Sequence, residues 1–259
     1  MTDLAMTRRR RALAGAAGIT VALLLAGCAG ASTQVIATPD LGPSPTDDPI
    51  SGNGLWLLDG TAAADEIVDA VRSAGTVRYS GTFTELTAAS PDTEPAPGRG
   101  LTVEYEGGPA GSSASFAAGD QRAHVVMVDG RTYTTGNDAY ATATALDAAA
   151  RGWVCSIGTT SARDEWAPLL DPAELVASLL GTGESIAVET PADADTVVEV
   201  IIGSAEAPVG IMTVAREGAP LPAEFTAGDT SGDGSFTFSA WGDPVAVDAP
   251  DDPLIACSD

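Results

Sequence analysis

The chain has 259 residues and is strongly acidic, with 36 Asp and Glu residues against 12 Arg, no Lys, and a formal charge of -24 at pH 7. Nucleic acids and anionic lipid surfaces attract proteins through basic patches. The composition therefore excludes electrostatic binding of nucleic acid or of an anionic membrane surface.

The N-terminus has the features of an export signal. Four arginines, Arg8 to Arg11, precede an apolar stretch from Ala12 to Ala26. That stretch is shorter than the roughly 20 residues a membrane-spanning helix needs, and a basic segment before a short apolar one indicates export. The arginines fit either the general secretory or the twin-arginine route, and both remain open.

The export signal ends in Leu25-Ala26-Gly27-Cys28, which is similar to the bacterial lipobox. In a lipobox the cysteine thiol receives a diacylglycerol group and the preceding residues are removed. We therefore predict a lipoprotein signal peptide over residues 1–27, a lipidated Cys28, and a location on the extracytoplasmic face of the cell membrane. Removal of the signal leaves 8 basic and 35 acidic residues, a formal charge of -27. The Ala- and Gly-rich, Lys-free composition is typical of actinobacteria.

Residues 28–54 are rich in Pro, Ser, Thr, Asp and Gly and have no apolar periodicity. This composition predicts a flexible or polyproline-like tether. The remaining residues, 55–259, are numerous enough for one domain with a sizeable core.

Two cysteines remain once Cys28 is assigned to the lipid. Outside the cytoplasm an even number of cysteines favours a disulfide, here between Cys155 and Cys257; two free buried thiols are the alternative. Two cysteines and a single histidine, His124, are too few for a metal site. His124 falls in a strand-like stretch, so we expect a structural role for it, and no metal or other cofactor is predicted.

Along the domain, the spacing of apolar residues predicts a helix, about five strands, further helices, and about five more strands. The first helix covers residues 61–74, with Ile67, Val68 and Val71 on one face. Alternating apolar and polar residues then predict strands near residues 77–84, 101–106, 114–118, 124–128 and 132–135. Residues 140–150 are predicted to be helical, and Asp171-Pro172-Ala173-Glu174 has the features of a helix start. Strands resume near residues 186–189, 196–202, 209–215, 223–227 and 235–241.

Long runs of adjacent strands with few helices favour one architecture. We predict an α+β fold with a large curved antiparallel sheet, an open half-barrel whose concave face is covered by helices. A β-sandwich is the alternative, which fits the mid-chain helices poorly.

Several segments resemble the mycobacterial LppX/LprA/LprF/LprG lipoproteins, which are themselves similar in fold to the LolA/LolB carriers. The resemblance lies in four segments: residues 73–81, the Asp-Gly hairpin at residues 126–133, Trp166 with residues 169–172, and residues 238–245 with Ala249-Pro250. It implies a LolA/LppX-like half-barrel with an apolar cavity for acyl chains, and a lipid or lipoglycan as the ligand.

Candidate lining residues for such a cavity lie on the apolar faces of the predicted strands and helices. They are Phe83, Leu101, Val103, Val125, Met127, Leu175, Leu179, Phe236 and Phe238. Ordinary core packing is the alternative for each of them. The sequence lacks the G-x-S-x-G motif of a serine hydrolase, and no enzyme activity or catalytic residue is predicted.

Two functions remain from the sequence. The first is a cell-envelope lipoprotein that binds or carries a lipid or other hydrophobic ligand. The second is an interaction or sensor module with the same fold, no lipid cargo, and a protein partner in the envelope. The low aromatic content, 5% of residues, favours the second because few large side chains are available to pack acyl chains.

Overall fold

A computed structural model describes residues 51–86, 97–157, 166–204, 206–229 and 232–257. These residues belong to one compact unit, Asp47–Asp259. Within them, three α-helices are present: α1 (Gly60–Ala74), α2 (Asp138–Thr144) and α3 (Pro172–Leu180). The strands are β1 (Val77–Leu86), β2 (Pro97–Gly108), β3 (Gly111–Ala118), β4 (Gln121–Val128), β5 (Arg131–Gly136), β6 (Val154–Ile157), β7 (Ile186–Val188), β8 (Val197–Ser204), β9 (Ala207–Ala215), β10 (Pro222–Asp229) and β11 (Gly232–Ser239).

All eleven strands form a single antiparallel sheet in the order β6-β5-β4-β3-β2-β1-β11-β10-β9-β8-β7. The N-terminal and C-terminal blocks of strands join where β1 pairs with β11, with Tyr79 opposite Phe238 and Gly81 opposite Phe236. The two predicted blocks of strands are therefore one continuous sheet. The β-sandwich alternative is wrong, because no second sheet is formed by the described residues.

The sheet is curved around its helices. Eleven strands about 4.8 Å apart would span roughly 50 Å if they lay flat. Yet Val125 of β4 and Val200 of β8, seven strands apart in the sheet, belong to the same buried core as Ile67 of α1 and Val176 of α3. Three short helices can share one core with both halves of the sheet only if the sheet bends around them. The predicted half-barrel with helices over its concave face is confirmed.

The helices form where their local sequence stabilises both ends. The side chain of Asp59 accepts a hydrogen bond from Ala62 N at the start of α1, and Gly75 ends the helix with a φ of 79°. Asp171 caps α3 by accepting from Ala173 N and Glu174 N, with Pro172 in the first turn. These are the residue types that helix ends favour, so the predicted ends of both helices are close to the observed ones.

One predicted element differs from the structure, and one observed element was not predicted. The predicted helix over residues 140–150 is a short helix, α2, followed by a 3-10 turn at Asp147–Ala150, because Ala145 adopts a left-handed conformation with φ 55°. Strand β6 was not predicted from the sequence. It pairs with β5 through Cys155 opposite Tyr133 and forms one edge of the sheet.

The C-terminal strap, defined as residues 240–257, runs across the outer face of the sheet from the end of β11 to β6. Val247 of the strap packs against a small cluster that contains Val126 and Tyr133. At its end, Cys155 N donates to Ile255 O (2.9 Å), and Cys155 is joined to Cys257 by a disulfide, with the Cα atoms 4.8 Å apart. The predicted disulfide is therefore present.

The chain enters the domain through a clamp around Arg216. This residue is 6% exposed, and its Nε donates to Ser51 O (3.2 Å), while Nη1 donates to Ala192 O (2.6 Å). Asn53 N donates to Arg216 O (2.8 Å), and the guanidinium lies 5.7 Å from the ring centre of Trp56. Residues 51–54, which were predicted as the last part of the tether, are thus hydrogen-bonded to the domain.

The clamp lies at one end of the sheet, which we name the tether end. Strand β1 begins at this end, and the β2–β3, β4–β5 and β9–β10 connections turn here. The opposite end of the sheet, where β3 turns into β4, is named the far end. Among the described helices, none combines the length and hydrophobicity that a transmembrane segment requires.

Candidate functional site

A pocket of about 600 Å³ opens at the tether end, between the concave face of the sheet and the helices; we name it the mouth pocket. Its volume lies within the range of small-molecule sites, about 300–1,000 Å³. The sheet, the C-terminal half of α1, the start of α3 and Trp241, two residues after β11, all contribute to it. The principal lining residues are Val71, Arg72, Val77, Tyr105, Ser112, Met127, Arg131, Thr132, Leu170, Asp171, Ala173, Glu174 and Trp241.

The floor of the mouth pocket is one row of residues across five strands. Val77 lies opposite Gly107, Gly107 opposite Ser112, Ser112 opposite Met127, and Met127 opposite Thr132. Because side chains alternate between faces along each strand, all of these residues face the helices. The row mixes apolar side chains with two buried hydroxyls, Ser112 and Thr132, each 3% exposed.

Two stacked tyrosines support the inner wall of the pocket. The rings of Tyr79 and Tyr105 are 4.6 Å apart and nearly parallel, and the Tyr79 hydroxyl donates to the Leu169 carbonyl. This bond ties the sheet to the segment that leads into α3. Burial is the main cause that raises the pKa of Tyr105 to about 12, with a hydrogen bond from Ser112 acting in the opposite direction. Both tyrosines remain neutral, so their hydroxyls can donate and accept hydrogen bonds at neutral pH.

The start of α3 forms one side of the mouth. Its first backbone N–H groups, which could attract an anion, are already bonded to the carboxylate of Asp171, at 2.9 Å for Ala173 N and 3.2 Å for Glu174 N. The N-terminus of this helix is therefore neutralised by the chain itself. The carboxylate of Asp171 lines the pocket at this position, and the helix N-terminus is not available to bind an anion.

Charges of both signs lie on the rim. Arg72 forms an ion pair with Asp69 (2.7 Å), in which both side chains are largely exposed. Arg131 follows the Asp129-Gly130 turn, where Asp129 has a φ of 52°. The lining has three carboxylates, of Asp129, Asp171 and Glu174, against two arginines. Their charges nearly cancel, so the rim has no strong charge of either sign.

The nine predicted lining residues all lie on the inner side of the structure, but they do not share one cavity. Leu101, Val103, Val125, Leu175, Phe236 and Phe238 are at most 5% exposed and form part of the core, while Phe83, Met127 and Leu179 pack against it. Of the nine, Met127 lines the mouth pocket. The core-packing alternative therefore describes the position of most of them in this structure.

Some lining residues were not singled out from the sequence. Ser112 and Thr132 occupy positions in alternating strands that could face either side, and Tyr105 was assigned to an apolar face without a functional role. Trp241 was placed in the last strand, whereas the strand ends at Ser239 and the Trp241 ring follows a left-handed residue, Ala240, with φ 54°. A tryptophan two residues after the end of a strand was the available signal for this wall of the pocket.

His124 lies on the outer face, away from the mouth pocket. Its Nε2 is 2.8 Å from the Ser113 Oγ, and its ring contacts Trp153 edge-on at 5.0 Å. Burial lowers the pKa of His124, so the neutral ring is favoured. His124 and Trp153 line a groove on the outer face, and Val247 and Asp248 of the C-terminal strap line its other side. Cys28, the predicted lipidation site, lies outside the described residues.

Among the solved structures that resemble this chain are two from mycobacteria. The crystal structure of LprF from Mycobacterium bovis is 13% identical, with a TM-score of 0.40, and the match covers 74% of this chain and 99% of that chain. The crystal structure of Mycobacterium tuberculosis lipoprotein LppX is 14% identical, with a TM-score of 0.38, and the match covers 71% and 95% of the two chains.

Both structures come from the group of lipoproteins that the sequence resembles. At these identities the similarity concerns the fold and assigns no ligand to this chain. No protein-family model and no curated protein sequence matches the chain.

Proposed function

We propose that this protein is an envelope lipoprotein, anchored to the membrane through Cys28, that binds a lipid or another hydrophobic ligand through the mouth pocket. The observation that carries the proposal is the position of the pocket. It opens directly onto the apolar concave face, so a ligand that enters between Val77, Met127 and Leu170 meets the core and not solvent. Each CH₂ group buried there would contribute about 0.8 kcal/mol.

The composition of the lining supports an amphiphilic ligand. Apolar side chains on the floor and on α1 suit an acyl chain, while the hydroxyls of Tyr105, Ser112 and Thr132 can bond to a polar head. Ligand sites commonly combine an apolar lining with a few polar groups that fix orientation. The mixed rim charges suit a head without a strong net charge.

A second function is favoured by a different observation. Most of the predicted lining side chains are packed in the core, with rings such as Phe116 and Trp166 stacked at 4.5 Å. A filled concave side favours an interaction module that meets a partner protein in the envelope. A long acyl chain would need the helices to shift away from the sheet, whereas a protein partner would not.

Native mass spectrometry of the full chain, produced in an actinobacterial host and followed by lipid extraction, separates the two functions. We expect a co-purifying lipid that is lost in Met127→Glu, because the charged side chain would lie on the pocket floor. Ile211→Glu is the matched control, since Ile211 is an exposed apolar residue on the outer face, 38% exposed. A stoichiometric protein partner without lipid would support the second function and contradict the first.

A further inference from the structure

The point where the chain enters the domain is fixed. The buried Arg216 side chain donates to Ser51 O, and Asn53 bonds back through its N to Arg216 O and through its Nδ2 to Ala215 O, both at 2.8 Å. These bonds join residues more than 160 positions apart in sequence. Any pull on the preceding chain is therefore transmitted to the end of β9 and not to a loose terminus.

A short series of contacts connects this entry point to the mouth pocket. Trp241, which lines the pocket, donates from Nε1 to Pro222 O at 2.7 Å. Pro222 lies opposite Val214 in the sheet, and Val214 precedes the clamp residue Arg216 by two positions. The entry point and the pocket opening therefore lie at the same end of the sheet.

Exposed apolar side chains follow the clamp directly. Leu57 is 61% exposed and Leu58 is 42% exposed, while their neighbour Leu55 is buried and holds the segment against the core. Trp56, which lies between Leu55 and Leu57 in the sequence, is half-buried and lies against the Arg216 guanidinium. An aromatic residue with adjacent leucines is the kind of surface that settles at a membrane interface.

We propose that the tether end is the surface of the domain that contacts the lipid bilayer, with Leu57 and Leu58 entering the interface and the mouth pocket opening toward the membrane. This rests on the proposed function, because it requires the lipid anchor at Cys28. The 22 residues between Cys28 and Ser51 can reach no more than about 80 Å even when fully extended. The bilayer that holds the anchor is therefore always within reach of this surface.

The consequence is a direct route for the ligand. A lipid would pass between the bilayer and the pocket without exposing its acyl chains to water. Contact through apolar side chains also suits the charge of the protein, because a chain of formal charge -27 after removal of the signal is repelled by anionic lipids but not by zwitterionic ones.

The test uses the full lipidated chain on phosphatidylcholine vesicles that contain a nitroxide-labelled headgroup. A fluorophore is attached to Ala110→Cys or to Asp120→Cys, two exposed turn residues at the tether end and the far end of β3. The eight residues of β3 separate them by about 26 Å. We expect quenching several times stronger at position 110. Equal quenching, or stronger quenching at position 120, overturns the proposal.

Two double variants test the contact residues. Leu57→Asn with Leu58→Asn is expected to lower quenching at position 110 to the level at position 120. Leu254→Asn with Ile255→Asn is the matched control. These side chains are similarly exposed (53% and 45%), but they lie beside Gly152 and Val154 and not beside the clamp. Equal effects of the two double variants would overturn the assignment of the leucines.

Flotation and lipid extraction of the unlabelled chain separate this proposal from the proposed function, because a label on residue 110 would itself fill part of the mouth pocket. Chains that float and carry lipid but show equal quenching at the two ends retain the anchor and the ligand while overturning the orientation. Chains that do not float overturn both. A second copy of the chain could instead cover the tether end. Cross-linking of two copies through position 110, together with protection of the label at position 110 from the quencher, would show this and would also overturn the proposal.

Discussion

The disulfide between Cys155 and Cys257 should stabilise the fold, and its contribution to the free energy of unfolding can be calculated. Replacing both cysteines by alanine opens a loop between residues 102 positions apart in the unfolded chain. The chain-entropy model for a loop of this length gives a loss of about 4.7 kcal/mol in the free energy of unfolding. With a urea dependence of about 2 kcal/mol per molar, the unfolding midpoint should fall by about 2 M.

The assay is urea unfolding followed by tryptophan fluorescence. Trp153 and Trp241 lie near the two ends of the C-terminal strap, so the signal also reports whether the strap detaches first. The wild-type chain treated with reductant is the control and should unfold at the same urea concentration as the double variant. A loss below about 1 kcal/mol would refute the argument from loop closure, and free thiols in the untreated native chain would refute the disulfide itself.

Four further predictions concern the pocket and the interior. Ala110→Trp should block the mouth pocket and lower the lipid recovered with the protein several-fold, as measured by mass spectrometry after extraction. Asp171→Ala should cost about 1 kcal/mol in chemical unfolding, because the start of α3 loses its cap. Tyr79→Phe should cost about 1–2 kcal/mol in the same assay, because the Leu169 carbonyl stays buried without its donor. Because burial lowers the pKa of His124, the unfolded chain binds the proton first, and the thermal midpoint should be constant above about pH 6.5 and fall below it.

Two of these predictions have a control variant within the chain. Asp120→Trp places the same ring at the far end and should leave lipid recovery unchanged; an equal loss would contradict blockage of the pocket. His124→Gln should flatten the decline just below pH 6.5, because His124 is the single histidine of the chain. A decline that persists in this variant would point to carboxylates. An unchanged midpoint in Asp171→Ala would mean that packing, and not the cap, holds α3.

The positions of the helices and strands could be predicted from the sequence better than the pairing between distant strands. Apolar periodicity marked most strands, and the caps at Asp171 and Gly75 fixed helix ends, because these signals act over a few residues. The pairing of Tyr79 with Phe238 depends on contacts 159 positions apart, which no local pattern encodes. Strand β6 was missed because it has only four residues and gains its place from the disulfide and from Tyr133.

The candidate site was only partly predictable for a related reason. Alternation identified which side chains face inward, and the nine predicted residues do so. Whether inward side chains leave a cavity depends on how closely α1 and α3 approach the sheet, and periodicity contains no such distance. Ser112 and Thr132 illustrate the difficulty, because in sequence they are ordinary polar residues, whereas their register places them on the pocket floor.

The pairing of the first strand with the last has a consequence for how the domain folds. Strands β1 and β11 meet in the middle of the sheet, so the domain cannot complete its centre until nearly the whole polypeptide is present. Such distant pairing slows folding, and a chain truncated before residue 232 would hold two half-sheets, each with an exposed edge prone to aggregation. The unfinished sheet should therefore persist for longer during folding than the intermediates of a helical protein of equal length.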